Sequence, residues 1–310
     1  MSVGLLLLTV ALSAGLSWMV VAASIHLAHR RGIYDHPDGD RKTQALPIPR
    51  LGGVGVAVAL TVSAIGSLAL LGRAGDVQLA LGVLLPALGA AVVGFLDDRQ
   101  HLHPYVRLLA QAGLGALAWA LGTRVNLTGS ISIDAAIVIL WIMVVVNGIN
   151  LLDNSDGLAG STVMVAAAGA TVIAVMLGQN LVSLLGAALV GVCIGYLWHN
   201  WHPARVYMGD SGAYFLGFLL AVLIVRLRPD TLSPPLAVMV AVLLVLLPIV
   251  DTCYVVTKRL RAGIHPFTAG RDHLSHVLQG HGATVPQSVG LLMVVLLLSV
   301  CGAIGIVALA

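Results

Sequence analysis

Five aspartates, Asp97, Asp98, Asp153, Asp156 and Asp210, stand at the edges of long apolar runs. Charge beside lipid is costly unless it is paired or has a task. Five carboxylates near one face would also repel one another, and a divalent cation relieves that repulsion. An all-oxygen donor set favours Mg²⁺, with Mn²⁺ as the alternative, over Zn²⁺. The histidines do not alter that choice, because "HLH" and "HLSH" lack zinc spacing with thiolates. Carboxylates and a hard cation beside Lys and Arg make a phosphate-handling set, in which the metal and the basic side chains neutralise developing charge. Placement at the lipid boundary points to a lipid phosphate as one substrate.

Asp153 and Asp156 sit three apart, so a helical turn would put both carboxylates on one face. Asp210 lies in "MGDSG", where Gly209 and Gly212 would let a ligand approach the backbone. A charged loop often does no more than face water, so position in the chain has to decide.

The elements that must hold these groups are membrane helices. The chain has 310 residues, 59% hydrophobic and 9% charged, far from the roughly quarter charged residues of a soluble domain. Apolar runs of about 20 residues mark spanning helices. Ten occur, near 3–27, 51–72, 77–96, 106–122, 133–149, 158–177, 180–198, 212–227, 234–257 and 286–308. The first is too long for the apolar core of a signal peptide and lacks a basic start. The expected architecture is an all-α polytopic membrane protein of about ten transmembrane helices, one integral domain over 1–310. Cys193, Cys253 and Cys301 fall within spans and read as small packing residues.

With ten spans, one set of loops holds Arg30, Arg31, Arg41, Lys42, Arg50, Arg99, Arg107, Arg205, Lys258, Arg259, Arg261 and Arg271. The other set holds Arg73, Arg124, Arg226 and Arg228. Twelve against four places the first set in the cytoplasm and both termini outside. All thirteen acids are Asp, and only Asp76, Asp134 and Asp230 fall outside. The chemistry is expected at the cytoplasmic face.

In order along the chain, "PRLGG", "GFLDD", "NLLDNSDGLAG", "VYMGDSGAYFLG" and "RDHLSH" resemble the motifs of the polyprenyl-phosphate N-acetylhexosamine-1-phosphate transferase superfamily. The likeness runs from about residue 34 to residue 282. It implies transfer of a sugar 1-phosphate from a UDP-sugar to a polyprenyl phosphate such as undecaprenyl phosphate, with release of UMP and a requirement for Mg²⁺. By resemblance, Asp98 deprotonates or orients the lipid phosphate, Asp97 helps to place it, and Lys42 holds a phosphate. Asn150, Asp153 and Asp156 are implied in metal and nucleotide contacts, and Asp210 in binding the metal. Arg271, His273 and His276 are implied in contacts with the diphosphate or sugar. Two positions depart from the family pattern: Asn154 replaces a common Gly, and Ser275 replaces a middle His. The absence of three consecutive His places the chain nearer the N-acetylglucosamine-type branch than the phospho-MurNAc-pentapeptide translocases.

The partners this implies are the UDP-sugar, the polyprenyl phosphate and the lipid bilayer of a plasma membrane, the inner membrane of a bacterium, with no nucleic acid. A homodimer is left open. The alternatives are the pentapeptide translocase itself, and a transporter or scaffold without catalysis. A transporter should carry its key groups near the midplane on broken helices, whereas these cluster at one face.

Overall fold

The structure is a computed structural model and describes residues 2–37, 46–71, 74–227, 229, 231–268 and 270–310, without the side chains of 69–71 and 74–76. Lys42 lies outside the described residues, as do Asp38, Asp40, Arg73, Arg228 and Asp230.

The described chain is almost entirely helical. In order it forms α1 (Val3–Arg31), β1 (Tyr34–Asp35), β2 (Ile48–Pro49), α2 (Gly52–Leu71), α3 (Ala74–Gln100) and α4 (Pro104–Ala120). There follow α5 (Ile131–Leu152), α6 (Leu158–Met176), α7 (Asn180–Asn200), α8 (Gly209–Arg226), α9 (Pro234–Leu244), α10 (Leu246–Arg261), α11 (Leu274–Gly280) and α12 (Val285–Ala308). The one exception to an all-helical fold among these residues is the antiparallel pairing of Tyr34 with Pro49 and of Asp35 with Ile48. Among the described residues seven helices are long and apolar enough to cross a membrane, and an eighth counts if α9 and α10 form one bent span. The ten apolar runs fall largely on helix; α2 is apolar over Gly52–Leu68, and α4 has 17 residues.

The run at 234–257 is not one straight helix. It bends by 78° between α9 and α10. Pro248 cannot donate a backbone hydrogen bond, and its ring clashes with the carbonyl four residues back, at Leu244. Arg226 is also not a loop cation: it sits in the last turn of α8, 5% exposed. Among the cysteines only Cys193 packs inside, while Cys253 and Cys301 face outward.

The helix α8 is the centre. It is buried along nearly its whole length and packs against α2, α3, α5 and α6. Its aromatic residues Tyr214, Phe215 and Phe218 are fully enclosed. Lipid tails are as apolar as Leu, so close helix approach depends on small residues and backbone contact. Gly94 of α3 shows this: a methyl group there would meet the Asp210 carbonyl carbon at 2.5 Å and the Ser211 nitrogen at 2.6 Å. That approach brings the end of α3, with Asp97 and Asp98, against the start of α8. Gly94→Ala is expected to lower the yield of folded protein and its melting temperature in detergent, because the obstruction is backbone and cannot rotate away. A variant that melts like the parent would contradict the close α3–α8 contact.

Candidate active site

Four of the sequence motifs meet at one end of α8. The segment at 49–53 is tied to the segment before α8 by three backbone hydrogen bonds: Tyr207 N–H to the Pro49 carbonyl (2.9 Å), Gly52 N–H to Tyr207 (3.0 Å) and Gly53 N–H to Met208 (3.1 Å). Arg50 is thereby aimed at Asp98, with Nη2 2.6 Å from Oδ1, and lies 3.7 Å from Asp35. Asp98 also accepts from the backbone N–H groups of Asp210 (2.9 Å) and Ser211 (3.1 Å). It therefore caps the first turn of α8, where free N–H groups and the helix dipole favour a negative charge.

The glycines of "MGDSG" serve this packing rather than a ligand. Gly209 has φ +65°, and a Cβ there would lie 2.7 Å from Asp98 Oδ2. A Cβ at Gly212 would meet the Gly53 Cα at 2.6 Å. The space expected for a ligand is already filled by Asp98 and by backbone.

Asp97 is 4% exposed and fully engaged. Its Oδ1 accepts from Leu102 N–H (2.9 Å), and its Oδ2 from Arg107 (2.9 Å) and the Tyr214 hydroxyl (2.8 Å). It is a positioning residue that locks the α3–α4 turn onto α8. Asn150, in the last turn of α5, donates from Nδ2 to Asp210 Oδ1 at 2.6 Å, so it orients that carboxylate.

Asp153 caps the end of α5 and Asp156 lies in the turn before α6, which begins beyond Gly157 at φ +77°. The pair is on a loop and not on one helical face, because α5 ends at Leu152 and the left-handed Gly157 sets the start of α6 after both of them. Asp156 is held by His202 Nδ1 (2.8 Å) and Ala204 N–H (3.1 Å). Asn200 ties the same two loops, accepting from Gly157 N–H at 3.0 Å and donating to the Val206 carbonyl at 2.8 Å. The half-buried carboxylate of Asp153 accepts no hydrogen bond among the described residues, although its backbone N–H donates to the Asn150 carbonyl at 3.1 Å. Loss of hydration, and next the charge of Asp210, push its carboxyl well above the ordinary carboxylate range, with Arg50 acting the other way.

Among the described residues no three His, Cys, Asp or Glu side chains form a ready metal cage. The donor set still fits Mg²⁺, which is commonly held by one or two carboxylates together with substrate phosphates. Asp153 lacks a donor, its charge opposes that of Asp210, and a hard cation would relieve both.

The third group of expected residues lies around α11, beside the α5–α6 loop. His273 is buried, its Nδ1 2.7 Å from Asp251 Oδ2, while Leu274 N–H donates to Asp251 Oδ1 at 2.8 Å. The role of His273 is thus to fasten α11 to α10. Arg259 binds both oxygens of Asp272 at 2.7 and 2.8 Å, and its hydrogen bonds hold that carboxyl below the usual range. His276 stacks edge-on to His273 at 5.6 Å, and its buried Nδ1 has no hydrogen-bond partner among the described residues. Burial first, then His273 and the exposed Arg271, lower His276 to about 4, so it is neutral at pH 7. Neither Asp251 nor Arg50 stood out as a site residue from the sequence. Asp251, an acid inside the apolar run "VLLPIVDTCYVV", was the available signal.

The description glycosyl transferase family 4 matches residues 80–228. The chain is 26% identical over 275 residues to a probable undecaprenyl-phosphate N-acetylglucosaminyl 1-phosphate transferase of Bacillus subtilis, covering 85% of this chain and 74% of that protein. It is 28% identical to the decaprenyl-phosphate N-acetylglucosaminephosphotransferase of Mycolicibacterium smegmatis, over 81% of this chain and 70% of the relative. A phospho-N-acetylmuramoyl-pentapeptide-transferase of Moorella thermoacetica is 32% identical over 61% of this chain and 64% of its own length.

Proposed function

Since the chain belongs to glycosyl transferase family 4, we propose that it transfers an N-acetylhexosamine 1-phosphate from a UDP-sugar to a polyprenyl phosphate, releasing UMP. The protein is read as a plasma-membrane enzyme of ten spans, with both termini outside and the acid cluster at the cytoplasmic face. The observation that carries the reading is the meeting of Arg50, Asp98, Asn150, Asp153 and Asp210 at one end of the apolar helix α8.

In this reading an oxygen of the lipid phosphate attacks the sugar-bearing phosphorus of the donor. The bond between the two donor phosphates breaks, and UMP leaves with the bridging oxygen. Arg50, fixed by Asp98 and Asp35, is placed to hold an anionic phosphate near that attack. Asp98, saturated by three donors, acts through Arg50 and the start of α8. The lipid phosphate is already largely ionised near neutral pH, so it needs placement more than deprotonation. Asp153 and Asp210 would hold Mg²⁺, which screens the negative charge of the two phosphates. Asp156 and the neutral His276 flank the donor side, and Lys42 is kept as a phosphate contact on resemblance alone.

An N-acetylglucosamine-type donor is preferred to the pentapeptide donor because the last motif lacks consecutive histidines. Chelation tests the metal assignment. Transfer by purified protein is expected to stop in excess EDTA and to return with Mg²⁺ or Mn²⁺. Full turnover in chelator would remove the cation from the account.

A further inference from the structure

Ser275 and Asn154, the two positions that depart from the motif pattern, touch each other. The Ser275 hydroxyl donates to Asn154 Oδ1 at 2.6 Å across 121 positions of sequence. The amide of Asn154 is oriented by its own bond to the Leu151 carbonyl, also 2.6 Å, so its oxygen has to point at α11. Ser275 is 0% exposed. A hydroxyl buried that deeply is costly without a partner, and a glycine at 154 would offer no side-chain acceptor. Each residue supplies what the other needs.

The contact matters because α11 is seven residues long and cannot persist by itself. Its start is pinned to α10 through Asp251. Its other side meets the α5–α6 loop twice, through Ser275 to Asn154 and, more loosely, Gln279 to Ser155 at 3.3 Å. Asn154 adjoins Asp153, and Ser275 adjoins His276. The short Ser275–Asn154 hydrogen bond, with the longer Gln279–Ser155 bond beside it, therefore joins the loop carrying the unpartnered carboxylate to the helix carrying the unpartnered imidazole.

We propose that the Ser275–Asn154 hydrogen bond is a positioning latch, fixing α11 and its His276 against the Asp153 loop so that the sugar-phosphate donor meets both at one spacing. The latch rests on the transferase reading for the identity of the donor. It makes Ser275 a positioning residue and not a sugar contact.

The test uses the full-length protein in detergent with Ser275→Ala, Asn154→Ala, the double variant and Ser275→Thr. Amide hydrogen exchange over 274–280 is expected to quicken about five- to tenfold in Ser275→Ala, the scale of one lost hydrogen bond. Adding Ser275→Ala to Asn154→Ala should change nothing further, and Ser275→Thr should behave like the parent. Calorimetry with UDP-N-acetylglucosamine should show a comparable loss of affinity in Ser275→Ala, with KM raised and kcat within about twofold. Additive exchange, or unchanged affinity in a protein whose α11 has loosened, overturns the latch. A parent protein that binds no UDP-N-acetylglucosamine sinks the transferase reading instead, which separates the two failures.

Discussion

Asp210→Asn is expected to slow sugar-phosphate transfer by about 10²–10³-fold, the scale of losing one charged group that steadies a metal-phosphate transition state. The folded protein should survive. Asn150 can still meet an oxygen at position 210, and the backbone N–H of that residue still donates to Asp98. Repulsion between positions 153 and 210 also disappears, so the melting temperature in detergent should match or exceed that of the parent. Rate assays beside thermal melts check this. A variant that loses stability as well as rate would make Asp210 a structural acid.

Asp98→Ala should fail differently. It removes the acceptor for Arg50 and for two backbone N–H groups at once. Breaking a largely buried ion pair by deleting one partner costs about 3 kcal/mol, and loss of the helix cap adds about 1 kcal/mol. Both turnover and melting temperature are expected to drop sharply, with Asp98→Asn between parent and Ala because one oxygen remains. If Asp98→Ala melts like the parent and only turnover is lost, Asp98 acts directly on the lipid phosphate and its contacts with Arg50 and α8 are incidental.

These contrasting outcomes come from contacts that sequence spacing does not encode. The apolar runs were legible because a bilayer demands about 20 apolar residues per helix, and the ten runs fall largely on helix. The bend at Val245 was not, since a proline in an apolar run has two outcomes: Pro86 sits inside the unbroken α3, while Pro248 accompanies the turn into α10. The aspartates were legible as a set, because acids beside lipid need a reason. Their separate tasks were not. Asp97 and Asp98 look alike in sequence, yet one is closed off by Arg107 and Tyr214 and the other is bound to Arg50. Asp153 and Asp156 have helical spacing, but α5 ends at Leu152 and α6 begins only after Gly157, so both lie in the loop between. The two glycines beside Asp210 suggested room for a ligand, and tertiary packing gave that room to Asp98 and Gly53.

The central claim is phosphotransfer to a lipid phosphate, and the nucleotide released tests it most directly. Purified protein is incubated with UDP-N-acetylglucosamine, undecaprenyl phosphate and Mg²⁺, and the nucleotide and lipid products are separated by mass. The account predicts UMP and a lipid diphosphate-linked sugar in equal amounts. Release of UDP with a lipid monophosphate-linked sugar would contradict it, because the donor would then have broken at the sugar and not between its phosphates.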